Sequence, residues 1–305
     1  MDINRANMDS LFREYEVSFT DGFNRGNEAT IYRNLAMVVP SVTEATVHAW
    51  LNQIPQMREW VGDRVVNNLR SNKLTVLNKK FESTVEMPRE SIEDDQYGLY
   101  TPLIELMGEN AAIFPDKEIV DVMVANGDWG GDDDAFFKAD RAYGDNTIAN
   151  YVTTALAEGT LETAVETIAS YKGQNDEPLN VRPYAVVVGP SKRTTVFDLL
   201  KNDMRATAAT DGVSVQNRNK GIVTPYISSR LVGDYANDWF VLGEMGGIRP
   251  IAWQNRMNAE LQSQRWTPDS ELAFEKDLYQ IGARRRGAAF LTLPHLAYAG
   301  LVSQA

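Results

Sequence analysis

Three aspartates in a row, Asp132-Asp133-Asp134, form an unbroken run of metal-capable side chains in a glycine-rich stretch. A hard cation such as calcium takes several carboxylate oxygens, so the triplet is the first place to look for metal chemistry. It lacks the spacing of an EF-hand and the later glutamate, and its glycine-rich setting reads as a solvated acidic loop. There are no cysteines, which removes thiolate metal sites, iron–sulfur clusters, disulfides and thiol nucleophiles. The two histidines, His48 and His295, are far apart in sequence and suit neither a histidine-rich metal site nor a relay. No G-x-S-x-G elbow is present for an activated serine. Gly189-Pro190-Ser191-Lys192-Arg193-Thr194-Thr195 opens a helix after a strand, where anions can bind, but it is not a P-loop and Ser191 reads as a helix cap. Arg284-Arg285-Arg286 could meet DNA, but pairing with acids of a neighbouring chain or of this one is the favoured expectation. The residues that could do chemistry therefore predict no catalytic, cofactor or metal site.

The elements around these residues point to assembly instead. Phe81, Val85 and Met87 share one face with Ser83, while Glu82, Thr84 and Glu86 share the other, the period of a half-buried strand. Pro88 ends that ladder, and Ser91-Ile92-Glu93-Asp94 fits a capping box at the head of a long helical region. Thr101-Pro102 marks a second helix start, and Pro115 should kink or restart the helix. Residues 91–126 carry eight acids against one lysine, a local charge of −7. Residues 61–80 are the opposite: Arg64, Arg70, Lys73, Lys79 and Lys80 against Asp63 give +4 in an acidic chain. That basic stretch reads as an extended hairpin whose second strand is Phe81–Met87. A long helix with a projecting hairpin needs partner surface that one chain does not supply.

Leu11, Tyr15, Phe19 and Phe23 recur every four residues and predict a short amphipathic helix, closed by Gly22, Gly26 and Asn27. Val47, Trp50, Leu51 and Ile54 predict another helix. Further on, residues 160–171 and 196–200 read as helices, and 184–188, 222–232 and 239–242 as strands. Residues 127–150 and 206–221 read as loops. The mixture lacks a regular βαβ repeat, so the fold class is α+β. A length of 305 residues allows one large domain or two smaller ones. No apolar run of about 18 residues exists to span a membrane. The net charge of −12 argues against tight non-specific binding to nucleic acid.

Several stretches resemble the Mu-like phage major head (major capsid) protein family. They are Leu35-Ala36-Met37-Val38-Val39, Glu59-Trp60-Val61-Gly62-Asp63-Arg64, Lys80-Phe81-Glu82-Ser83-Thr84-Val85 and Glu93-Asp94-Asp95-Gln96-Tyr97-Gly98-Leu99-Tyr100. Asp134-Ala135-Phe136-Phe137-Lys138-Ala139-Asp140 is similar to a further family motif, although the histidine that often follows the paired phenylalanines is absent and Arg141 stands nearby. The likeness covers roughly residues 33–140.

The resemblance implies an HK97-like capsid fold: an N-terminal arm and lead-in (1–57), an extended E-loop hairpin (58–87) and a peripheral domain with a long spine helix (88–154). An axial domain (155–250), peripheral return strands (251–290) and a C-terminal axial strand (291–305) complete it. It implies a subunit that self-assembles into homo-pentamers and homo-hexamers of an icosahedral head enclosing double-stranded DNA, built in the host bacterial cytoplasm. Scaffold, portal and head-decoration or connector proteins would be partners, with packaged DNA held only weakly and non-specifically. The charge pattern then marks Arg64, Arg70, Lys73, Lys79, Lys80, Glu93, Asp94, Asp95, Arg284 and Arg285 as candidate subunit-interface residues. An encapsulin-type nanocompartment shell and a soluble metal-dependent acidic enzyme are the alternatives.

Overall fold

The computed structural model describes residues 4–51, 71–94, 98, 100–130, 132, 134–143, 146–173, 176–206, 214–263 and 275–304. The chain opens with helix α1 (Arg5–Ala29), capped by the Asn4 side chain, which accepts from the Asn7 amide at 2.9 Å. It is far longer than its four-residue apolar stripe predicts, and Gly22 and Gly26 lie inside it. A short α2 (Tyr32–Leu35) follows, then β1 (Met37–Pro40). Residues expected to be helical form strand β2 (Ala45–Leu51) instead, which pairs antiparallel with β3 (Ser71–Leu77); Ile54 lies outside the described residues. Val47, Trp50 and Leu51 fit a helical stripe, but long-range pairing with β3 decides the outcome, as it often does for β-branched segments.

Strand β4 (Lys79–Pro88) keeps the predicted alternation, with Met87 buried and Glu82, Thr84 and Glu86 exposed. Its partner is not β3. It pairs with β16 far down the chain, so the projecting hairpin is β2–β3, and β4 belongs to the body. Helix α3 (Arg89–Glu93) begins directly after Pro88, which places Ser91 inside the helix rather than at its cap. The long helix is α4 (Thr101–Ala125), with Thr101 and Pro102 as its first residues. It runs through Pro115 without a break, contrary to the sequence expectation. Proline has no N–H for the Ala111 carbonyl, and Arg285 Nη1 reaches that oxygen instead, at 2.6 Å.

Short strands β5 (Asp128–Trp129), β6 (Asp134–Ala135), β7 (Arg141–Tyr143), β8 (Asn146–Ile148) and β9 (Tyr151–Val152) fold the aspartate-rich region into small hairpins and lead to the second half. There follow α5 (Glu158–Ser170), β10 (Arg182–Val188), α6 (Arg193–Leu200), β11 (Met204–Ala206), β12 (Ser214–Gln216), β13 (Thr224–Ile227) and β14 (Trp239–Glu244). Part of the polar stretch read as loop, 206–221, is therefore a two-stranded β11–β12 hairpin. The chain returns through β15 (Ile251–Ser263) and β16 (Leu278–Leu291), and β17 (Ala297–Gly300) is its last strand.

Two sheets organise the body. One has the order β1-β15-β16-β4, and the other β13-β10-β14-β17-β9. The second is buried on both faces. Ala185 and Val187 of β10 pack with Ile119, Val120 and Met123 of α4, while Val186 and Val188 pack with Leu161 and Ile168 of α5 and Val196 and Leu199 of α6. That explains why 184–188 reads as an uninterrupted apolar run. Against the first sheet, Met8, Leu11, Tyr15 and Phe19 of α1 join Ile104 and Met107 of α4 with Met87, Tyr279 and Ile281. The expected arm is thus docked on its own spine helix over 5–29.

His295 sits between α5 and the aspartate-rich hairpins. It is 3% exposed, with its ring edge-on to Tyr143 at 4.7 Å and to Tyr171 at 6.4 Å. Neither ring nitrogen meets a hydrogen-bond partner. Burial, helped by the nearby positive Arg141, pushes its pKa down from 6.5 to about 4. Between those values the unfolded chain binds a proton that the folded chain refuses. Stability is therefore full above pH 6.5 and falls as pH drops toward 4, by an amount on the order of 3 kcal/mol. Urea titrations at pH 7 and pH 4.5 should show this loss in the native chain and a smaller one in His295→Phe. An equal loss in both would assign the acid sensitivity elsewhere.

Candidate assembly surfaces

The hairpin β2–β3 is fastened to the body at its root by a polar cluster. Asn78 donates to Ser41 Oγ at 2.9 Å and to the Thr43 carbonyl at 2.8 Å. Gln254, fully buried on β15, donates to Asn78 Oδ1 at 2.9 Å and accepts from His48 Nε2 at 2.7 Å. The His48 ring also stacks on Phe290 at 4.7 Å. His48 is therefore an anchoring residue that holds the hairpin against the β15–β16 face. The inner side of the hairpin carries Leu74 and Val76 into a small apolar cluster with Ala252, Ala288 and Phe290. Its outer side presents Val47 and Leu77, 55% and 65% exposed, diagonally on one face, with Val47 opposite Thr75 and Leu77 opposite Ala45. A second uncovered apolar pair lies on α4, where Leu103 and Leu106 are about half exposed. Exposed apolar pairs on a projecting hairpin and on a long helix are what a protein–protein contact would cover.

The charged candidates separate on this frame. Arg64 and Arg70, and Asp95 on the acidic side, lie outside the described residues. Lys73 is on β3 opposite Ala49. Lys79 is on β4 and meets the buried Glu118 of its own spine helix at 3.7 Å, so its partner is internal. Lys80 is exposed next to it. Glu93 is engaged by Arg89 at 2.7 Å within α3, and Asp94 ends that helix. Arg284 is exposed on β16 and stands directly opposite Glu82 of β4 and Glu260 of β15, a cross-strand charge ladder.

Arg285 departs from its expected surface role: it is 5% exposed, and its guanidinium lies over the Trp253 ring at 5.4 Å. Consecutive strand residues face opposite ways, which is why the arginine run divides. Desolvation holds the Arg285 pKa below its ordinary value, with the nearby Tyr32 opposing that shift.

The aspartate triplet is similarly committed to neighbours. Asp132 pairs with the buried Arg141, and Asp134 pairs with Lys138 at 2.8 Å, which holds the Asp134 carboxyl below its usual range. Asp133 lies outside the described residues, and no group of three metal-capable side chains forms among the described residues. Ser191 lies in a 3-10 turn, where its hydroxyl donates to the Ala236 carbonyl at 2.7 Å rather than capping α6. An open cleft between α4 and the end of β13 includes Glu109, Asp116 and Lys117. Asp116 is occupied there, accepting from the Tyr32 amide and the Thr30 hydroxyl, each at 2.7 Å, and so capping α2.

A long spine helix, a projecting hairpin, one sheet beside that helix and a second sheet covered by two helices make up the HK97-like capsid fold. A chain from the solved procapsid of bacteriophage JBD30 superposes with a TM-score of 0.58 at 23% identity, over 97% of this chain and 75% of that one. The family follows from the sequence match. The profile of the Mu-like prophage major head subunit gpT matches residues 8–155, 142–227 and 226–302, and the chain belongs to that family.

The Mu-like prophage FluMu major head subunit of Haemophilus influenzae is 26% identical over 306 aligned residues, covering 74% of this chain and 96% of that protein. The major capsid protein of Escherichia phage Mu is 34% identical over 119 residues, covering 39% of this chain and 38% of that protein. The protein is accordingly a major capsid subunit of a Mu-like phage head, and the nanocompartment and enzyme readings are not favoured. The site signal missed in the sequence is the hairpin root. Asn78 and Gln254 read as ordinary polar residues until β2, β3 and β15 are brought together.

Proposed function

We propose that copies of this chain assemble as pentamers and hexamers that close an icosahedral head around double-stranded DNA. Assembly takes place in the host bacterial cytoplasm, with scaffold, portal and decoration or connector proteins as partners. The observation that carries this reading is the β2–β3 hairpin: its root is locked to the body while Val47 and Leu77 on its outer side are more than half exposed among the described residues. In this reading the hairpin lies on the spine region of a neighbouring copy, where exposed apolar pairs from both chains are covered. Arg64, Arg70 and Lys73 approach the neighbour's Glu93, Asp94 and Asp95, while Lys80 and Arg284 meet the rim of the contact. Exposed ion pairs contribute only about 0–1 kcal/mol each, so these charges set register and encounter while buried apolar area supplies the affinity. A net charge of −12 suits a container, because a mildly repulsive wall lets DNA be packed and released.

Electron microscopy of the purified chain tests the proposal. Closed shells or ring-shaped capsomers are expected, and a small discrete oligomer at every concentration would overturn it. Particles formed during infection should contain DNA; particles filled with protein would favour the nanocompartment. Arg64→Glu with Arg70→Glu should reduce particle yield while the isolated subunit unfolds at the same denaturant concentration.

A further inference from the structure

Pro115 lies about three-fifths of the way along α4 and is itself buried. A proline in a helix interior leaves the carbonyl four residues earlier without its donor and crowds it with the ring, which ordinarily bends or breaks the helix. Here that carbonyl belongs to Ala111, and Arg285 Nη1 donates to it at 2.6 Å, with the Ala112 carbonyl at 3.5 Å. The guanidinium comes from β16, is buried, and is seated on Trp253 of β15. We propose that Arg285 is a latch for a built-in break point: it supplies the donor that Pro115 withholds, and the spine stays one rigid helix only while β16 holds the guanidinium there.

The consequence is positional. The part of α4 before Pro115 carries α1 through Phe19, Ile104 and Met107, while the part after it sends Ile119, Val120 and Met123 into a core shared by Trp253 and Leu291 of the first sheet and Ala185 and Val187 of the second. Asp116, next to the proline, also caps α2 at the entry to β1. Loss of the latch frees the two parts to hinge against each other, so one side chain sets the angle between the stretch of α4 that bears α1 and the stretch that enters the core shared by the two sheets.

A double-mutant cycle in the full chain tests this. Arg285→Met should reduce the folding equilibrium constant about 100-fold, because a partly buried carbonyl loses a charged donor. In a Pro115→Ala background the new amide serves Ala111, and the same Arg285→Met change should cost at least tenfold less. An equal cost in both backgrounds would overturn the proposal, since it would reduce Arg285 to packing on Trp253. If the Arg285→Met chain does not fold, recovery of folding by Pro115→Ala supports the latch; Arg285→Lys in both backgrounds then reads the same ratio, and equal costs again overturn it. Hydrogen exchange supplies a local readout. Amides 116–119 should exchange faster in Arg285→Lys while amides 104–110 keep their protection, whereas uniform acceleration along α4 would count against a break point.

Discussion

A Gly108→Ala subunit unfolds with about 3 kcal/mol less free energy than the unaltered chain. The expectation runs against helix propensity, which favours alanine over glycine by about 1 kcal/mol in a helix interior. It rests on how closely α1 and α4 approach. A methyl group on Gly108 would overlap the Phe19 carbonyl oxygen, and one on Gly22 would overlap that of Glu105. A methyl on Gly26 would stand 2.6 Å from the Glu109 oxygen. Each of these neighbours is backbone and cannot rotate away, so the helices must part and uncover Met8, Leu11, Tyr15 and Phe19. Gly159→Ala in α5 is the control, since nothing lies within 4 Å of the added group and a gain of up to about 1 kcal/mol is expected. Denaturant unfolding of the two variants should move in opposite directions. Equal behaviour would mean that the helix pair can separate at little cost.

Asn150→Leu lowers stability by about 3 kcal/mol, from the loss of three hydrogen bonds made by one buried side chain. Asn150 is fully buried where the aspartate-rich hairpins meet the second sheet. Its Nδ2 donates to the carbonyls of Phe136 and Pro294 at 3.1 and 3.0 Å, and its Oδ1 accepts from the Lys138 amide at 2.8 Å. Its own carbonyl accepts from the Ala299 amide of β17 at 2.9 Å. Leucine matches the volume and satisfies none of the three side-chain bonds: the Lys138 amide loses its acceptor, the Phe136 carbonyl keeps only Arg141 Nη2 at 3.4 Å, and the Pro294 carbonyl keeps only the Ala297 amide. Asn150→Asp keeps the acceptor but cannot donate to the two carbonyls, and a large loss is expected there as well. A change below about 1 kcal/mol in either variant's denaturant midpoint would show that the segments can be re-satisfied by rearrangement.

What the sequence disclosed depended on whether the partner of a segment was near or far. Phe81–Met87 was legible because a half-buried strand shows its period whichever strand it meets. The choice of β16 over β3 as its partner was not, since the pairing spans most of the chain. Val47, Trp50 and Leu51 satisfy both a helical and an extended spacing, and only the β3 partner resolves them. Gly22 and Gly26 read as stops in the sequence because glycine usually punctuates. Their spacing of four continues the stripe of Leu11, Tyr15 and Phe19, and that was the available sign of close helix packing. In the arginine run, strand alternation alone separates Arg285 from Arg284. The basic character of 61–80 was plain, but the assignment of Lys79 to its own Glu118 required the fold.

The strand order carries a consequence for synthesis. Residues 79–88 wait for 278–291, residues 37–40 wait for 251–263, and residues 151–152 reach β14 only through 297–300. A nascent chain still on the ribosome, made as far as residue 250, therefore has neither sheet complete and displays open strand edges. The root of the β2–β3 hairpin is likewise unfinished until Gln254, Ala288 and Phe290 have been made, and both sheets close only once translation has passed residue 300. The interval before that moment is when a chaperone has most to protect.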